Sequence, residues 1–273
     1  MIPTVLVCAL LVSFPFVYML YTSTQYWIAL RPERSFAGLG NYRSVLLSTE
    51  FRQSLLTTVI FVISSVAGSI VLGFALALVL NEKFRGRNVI RALLTIPAII
   101  PPAAAGFTWK FLLNRDVGLI GGFFLPLLGV KRALLGDPGW ALFSVILADV
   151  WCQTPLMFLI LLAGLQAIPM ELFDAARIDG AGFGQVLVRI IIPLLKRVLG
   201  LAVIIRFIFA FTTFDVIFTM TGGGPGIATQ TLPLLGWKTG FLYYDLGQAA
   251  ALAVVMLLIT VFFSSTLVRM VKL

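Results

Sequence analysis

Six apolar runs, each about as long as a bilayer is thick, constrain this chain more than any other feature. They cover residues 2–22, 54–80, 91–113, 141–167, 197–220 and 247–268. A helix rises about 1.5 Å per residue, so roughly 20 apolar residues cross a hydrocarbon core about 30 Å thick. In lipid every backbone N–H and C=O needs a partner inside the protein, and a run of this length satisfies that only as a helix. The expected fold class is therefore all-α integral membrane, with about six transmembrane helices. Residues 1–53 hold the first helix and an external loop, and residues 54–273 form a five-helix core. The first two runs exceed what a perpendicular span needs, which predicts tilt. Pro97, Pro101 and Pro102 in the third run and Pro155 in the fourth predict kinked, internal spans. The first run has neither a basic leader nor a small-residue cleavage site, so it is read as a retained span.

Composition supports this class and removes others. The chain is 60% apolar and 11% charged, where soluble domains carry about 25% charged residues. A formal charge of +9 raises the question of nucleic acid. The 20 basic residues are scattered among short loops and form no stripe, as expected of Lys and Arg gathered at a membrane surface, so no nucleic-acid partner is expected. Cys8 and Cys152 lie inside apolar runs and read as small packing residues without a disulfide or metal role. The absence of histidine removes the commonest general base and metal ligand, and no metal site or resident cofactor is expected.

Residues 171–195, ELFDAARIDGAGFGQVLVRIIIPLL, break the apolar pattern with Glu171, Asp174, Arg177 and Asp179. The segment reads as helix, turn, helix. Leu172, Ala175 and Ala176 form a small apolar face, Gly180 supplies the break, and a second short helix runs through Val186, Leu187 and Ile190 until Pro193 stops it. Such a loop stays folded outside the lipid and offers a surface to a partner. Asp174-Ala175-Ala176, Asp179-Gly180-Ala181, then Ile190 and Pro193 resemble the EAA loop of permease subunits of binding-protein-dependent ABC importers, with Asp174 where that family usually has Glu.

The resemblance continues along the chain. Phe36-Ala37-Gly38-Leu39-Gly40-Asn41-Tyr42 resembles an external segment of sugar-importer permeases. Ile96-Pro97 with Pro101 and Trp109, then Asp149-Val150-Trp151 with Thr154-Pro155, resemble their third and fourth spans. Phe214-Asp215 followed by Thr221-Gly222-Gly223-Gly224-Pro225 resembles the end of the fifth span and its outer loop. The chain is thus similar to carbohydrate-uptake ABC permeases, in particular the larger permease subunit of maltose-type importers. That resemblance implies a type I importer fold in a bacterial or archaeal cytoplasmic membrane, with both termini cytoplasmic. It also implies a second permease subunit, an ATPase dimer that uses ATP and Mg, an external binding protein and a sugar-like solute. The loop at 168–196 becomes the coupling element, carried by Glu171, Asp174, Ala175, Ala176, Asp179, Gly180 and the apolar anchor Phe183. Charge bias adds little to the orientation, because ten basic residues (including Lys272) fall on the coupling-loop side and nine (including Lys131) on the other.

Two ionisable residues lie within spans, Asp149 in the fourth and Arg206 in the fifth. Each costs about 2.5–3.5 kcal/mol at a span centre on insertion scales, so neither should face lipid. Asp149 and Gln153 share one helical face, as do Arg206, Phe209 and Thr213. Two readings stand: a wet cavity in which these five residues bind a sugar, or a buried Asp–Arg pair that only fixes helix packing. No G-x-x-x-x-G-K-[ST] phosphate loop occurs, so the chain is expected to be a transport subunit and not itself an ATPase. The run Gly222–Gly226 reads as a flexible turn, or else as a contact for the binding protein. The alternative function is a stand-alone secondary transporter or channel, which would need intramembrane acids that only Asp149 and Asp215 provide. An integral-membrane enzyme lacks the nucleophile–base pair or metal cluster it would require.

Overall fold

The backbone is mostly helical, in a computed structural model that describes residues 2–31, 33–129 and 132–271. The side chain of Cys8, and residues Lys131 and Lys272, lie outside the described part. Helix α1 spans Ile2–Ser23 and leads to a small antiparallel hairpin, β1 (Gln25–Tyr26) with β2 (Ser35–Phe36). Helices α2 (Gly40–Leu47) and α3 (Thr49–Asn81) follow, then α4 (Arg87–Thr95) and α5 (Pro102–Leu112). The short α6 (Leu125–Leu127) precedes α7 (Pro138–Gln166). The polar loop between α7 and the next long helix holds α8 (Met170–Ile178) and α9 (Phe183–Val186). Last come α10 (Ile192–Thr212), α11 (Asp215–Met220), α12 (Leu232–Trp237) and α13 (Leu246–Val271).

Local chemistry sets the boundaries. Ser48 caps α3, its Oγ accepting the Phe51 N–H at 3.0 Å, with Glu50 in the first turn where the helix dipole favours an acid. Asp137 caps α7 through the N–H groups of Gly139 and Trp140, and Pro138 occupies the first turn, where its missing N–H does no harm. Among the described residues α3, α7 and α13 are long and apolar enough to cross a membrane unaided. The 21-residue α10 is also long enough, but carries Lys196, Arg197 and Arg206.

Helices α3 and α7 make the most extensive contact in the molecule. On α3 the buried positions Ser65, Ser69, Gly73 and Ala77 recur every four residues, a small-residue stripe that lets the backbones approach. A Cβ built on Gly73 would lie 2.8 Å from the backbone nitrogen of Phe158, so only glycine fits. Two apolar clusters result. One gathers Phe61, Val145, Ile217, Leu232 and Leu252, and the other, nearer α8, gathers Ala77, Phe158, Leu161 and Leu195.

Four expectations require correction. The third span is not one kinked internal helix: α4, continued by a 3-10 turn at Ile96–Ile99, is bent by 99° from α5 at Ile100–Pro101, and α4 buries no residue. Ile100 and Pro101 are extended, because each precedes a proline and is pushed out of the helical region. The fifth span, expected over 197–220, begins at Ile192 and breaks at Thr213–Phe214 before α11. Pro193 does not stop a helix. It sits in the first turn of α10, after a π turn at Leu187–Ile191 whose shifted hydrogen bonding accommodates the missing donor.

The glycine-rich loop after α11 is likewise not a flexible turn. Gly223, Thr229, Gln230 and Thr231 are buried. Thr229 Oγ1 lies 2.7 Å from Thr221 Oγ1 and donates to the Gly224 carbonyl at 2.9 Å. Gln230 Nε2 donates to Glu50 at 2.8 Å, and Lys238 Nζ donates to Gln230 Oε1 at 2.6 Å. Burial lowers the Lys238 pKa from its usual value, and nearby Glu50 opposes the shift. On the same side Asn41 Nδ2 donates to the carbonyls of Ser23 and Gln25 at 2.9 and 2.8 Å, tying the end of α1 to the start of α2.

Candidate functional site

The loop at 168–196 forms an ordered, outward-facing knuckle. Helix α8 starts with Glu171 in its first turn and ends in a two-bond reversal: the Gly180 N–H reaches the Arg177 carbonyl at 3.1 Å and the Ala181 N–H reaches the Ala176 carbonyl at 2.9 Å. This arrangement is a Schellman motif, which needs a left-handed residue just past the cap at Asp179. Gly180 supplies it at φ +71°, and nothing lies within 4 Å of a Cβ placed there, so conformation and not space demands the glycine. Gln185 then folds back to accept the Gly182 N–H at 3.0 Å and fixes the start of α9.

The expected apolar face divides in two. Ala176 is 8% exposed and turned inward, and the adjoining Phe173 packs on the cluster around Leu161 and Leu195. Leu172 and Ala175 point outward with Ile178 (87% exposed) and Phe183 (69% exposed). Asp174 is exposed and pairs with Arg177 at 3.7 Å, a surface contact that adds little stability. Phe173 as anchor and Ile178 as the most exposed apolar residue of the knuckle escaped the sequence reading. The three-residue spacing of Phe173 and Ala176 was the available signal.

Within the bundle, Asp149 of α7 and Arg206 of α10 form an ion pair whose side chains are 2% and 0% exposed. Arg206 Nε also donates to Ser69 Oγ of α3 at 3.0 Å, and Ser69 donates in turn to the Ser65 carbonyl at 2.7 Å. Three helices therefore meet at one polar knot, with Arg206 Nη1 left unpaired. Ser69 was missed by the sequence reading because it looks like one more small stripe residue. The other three predicted residues are not brought to this knot. Gln153 is half-buried one turn along α7, Phe209 is half-exposed, and Thr213 Oγ1 donates to the Phe209 carbonyl at 2.9 Å. None of these five residues lines a described cavity. Among the described residues no cluster of His, Cys, Asp or Glu is arranged to hold a metal.

A bundle of membrane-length helices with a structured polar knuckle between α7 and α10 defines an integral-membrane transport component. Residues 69–272 match the family described as binding-protein-dependent transport system inner membrane component, and the chain belongs to that family. It is 45% identical over 230 residues to the trehalose/maltose transport system permease protein MalF of Thermococcus litoralis, covering 82% of this chain and 76% of that one. It is 32% identical over 271 residues to the sn-glycerol-3-phosphate transport system permease protein UgpA of Agrobacterium fabrum, covering 99% of this chain and 92% of that one. Among solved structures it resembles a chain of a bacterial ABC transporter involved in import of the acidic polysaccharide alginate. The TM-score is 0.81 at 20% identity, over 98% of this chain and 93% of that one. The type I importer fold expected from the EAA-like loop is thus the fold observed.

Proposed function

We propose that this chain is the permease subunit of an ATP-driven importer for a sugar or sugar-like solute: an oligosaccharide, a polyol or a glycerol phosphodiester. Its partners are a second permease, a pair of ATPase subunits and an external binding protein that delivers the solute. The observation that carries this reading is the knuckle at α8–α9. Apolar side chains at Leu172, Ile178 and Phe183 stand exposed beside acids on a segment locked by Gly180, as a surface evolved to seat in another protein. The ATPase occupies that surface, which makes this side cytoplasmic. ATP and Mg act in the partner, because this chain has no phosphate loop.

The buried Asp149–Arg206 pair holds α3, α7 and α10 together, and the solute passes along the exposed side of α10 near Phe209 and Thr213, with Gln153 on α7. The second permease supplies the facing wall. A half-exposed phenyl ring suits the apolar face of a sugar, and neutral hydrogen-bonding groups suit its hydroxyls. Purifying the tagged chain from its native membrane should bring down an ATPase and a second permease. Proteoliposomes of that assembly should take up sugar only with ATP and the binding protein. Uptake by the chain alone, driven by an ion gradient, would instead make it a secondary transporter.

A further inference from the structure

A cavity of about 450 Å³ lies at the base of α8, where α3 and α7 end. Lys83, Arg87 and Arg177 line its polar side, and Leu165, Ile168 and Phe173 its apolar side. Glu82 also lines it, and Asp174 pairs with Arg177. Among the described residues Lys83 and Arg87 make no ion pair. Arg87 spends its guanidinium on the carbonyls of Asn81 and Glu82, both at a long 3.4 Å. The cavity is therefore cationic on one side and greasy on the other, at the depth where two apolar spans give way to water.

A second cavity, about 290 Å³ and almost wholly apolar, lies deeper along the same two helices, with Leu72 and Leu76 of α3 and Thr154 and Phe158 of α7 on one side and Leu94, Pro97 and Trp109 of the α4–α5 segment on the other. On α7 the two cavities share one stripe. Phe158 and Thr154 stand seven and eleven residues before Leu165, two and three helical turns, or about 10 and 17 Å. One leaflet contributes about 15 Å to a hydrocarbon core of about 30 Å.

We propose that the two cavities together bind one anionic phospholipid. Its phosphate is held by Lys83, Arg87 and Arg177, and an acyl chain lies in the groove that α3 and α7 form with the ends of α4 and α5. A free phosphate would leave the apolar wall and the deeper groove unused. A zwitterionic lipid would bring its own cation against three others. Basic pockets at the cytoplasmic ends of membrane helices are suited to such headgroups. The bound lipid braces the base of α8 against the end of α3, so it adjusts how firmly the knuckle is held. That consequence, but not the binding itself, rests on α8 being the ATPase-facing element.

The test is lipid retention. The transporter purified from its native membrane is exchanged into detergent with mixed phosphatidylglycerol and phosphatidylcholine, and retained lipid is weighed by native mass spectrometry. Wild type should keep phosphatidylglycerol selectively. Lys83→Ser and Arg87→Ser should each lower retention about fivefold, the effect of one surface cation on an anionic lipid. Leu72→Trp, which fills the groove and leaves the cations in place, should lower it as well. Unchanged retention in both cation variants, or equal retention of phosphatidylcholine, overturns the proposal. Complete displacement by inorganic phosphate alone also overturns it, by showing a free-anion site. The measurement needs no transport, so it stands or falls separately from the coupling role of α8.

Discussion

The sharpest perturbation open to experiment is at the knot of Asp149, Arg206 and Ser69. Arg206→Met leaves Asp149 2% exposed and without its cation, and Asp149→Ala strands the guanidinium in the same way. Breaking a buried pair from one side costs about 3–5 kcal/mol. Each single variant should therefore lose most of its assembled, membrane-inserted yield. The double variant Asp149→Asn, Arg206→Met removes both charges. Ser69 then loses one hydrogen bond, worth roughly 0.5–1.5 kcal/mol, while the unpaired Arg206 Nη1 is also removed. Replacing buried pairs with apolar groups of similar volume is often neutral, or stabilising by about 1–4 kcal/mol. The double variant should thus lie within a few kcal/mol of wild type, and the cycle should report a coupling energy of about 3 kcal/mol or more.

The assay is yield of the assembled complex by size exclusion, read beside sugar uptake in vesicles. Recovery of both in the double variant is the expected result. If instead each single variant assembles normally and transports nothing, and the double variant transports nothing either, the two charges touch solute. The assignment of the pair to helix packing would then be wrong.

Other expected outcomes concern the knuckle and the α3–α7 seam. Gly180→Val should uncouple ATP hydrolysis from uptake, because a β-branched residue at φ +71° is strained by roughly 1–2 kcal/mol. Gly180→Asn, which tolerates that conformation and meets no neighbour, should couple almost normally, and equal behaviour of the two would refute the conformational argument. Phe173→Ala should lower thermal stability by roughly 1–3 kcal/mol, less than the 3–5 of a fully buried ring. Phe183→Ala should leave stability unchanged but weaken co-purification with the ATPase, a split that pull-down and thermal scans would resolve. Gly73→Val should abolish a stable α3–α7 contact, since its Cβ would lie 2.8 Å from the Phe158 backbone nitrogen, and normal expression would count against the seam.

What could be read in the sequence was what local pattern encodes. The apolar runs marked α1, α3, α7 and α13 nearly to their ends, and Gly180 between two short helical patterns marked the knuckle. The cost of a charge in lipid singled out Asp149 and Arg206, although Ser69, the further partner of Arg206, lies 137 positions from it and leaves no periodic trace. The glycine-rich loop was misread for the same reason. Its order comes from Glu50, Ser54 and Thr58, which bond Gln230 and Leu232 across 174 to 180 residues of sequence. The fifth span, expected from residue 197, starts at Ile192, because the long cationic side chains of Lys196 and Arg197 reach the surface while their helix continues beneath it.

The position of the polar knot explains why the knuckle sits where it does. Helix α7 runs 17 residues from Asp149 to its end at Gln166, and α10 runs 14 from Ile192 to Arg206, so each arm reaches about 21–25 Å from the knot towards α8. Two helices joined at that distance by an ion pair, and braced by α3, resist sliding past each other. On the proposed role of α8 as the ATPase-facing element, a push on it is delivered to both as one rigid movement and is not dissipated as shear between them. Such a brace needs close packing more than charge. That is why apolar replacement of both partners is expected to preserve transport, whereas loss of either partner alone is not.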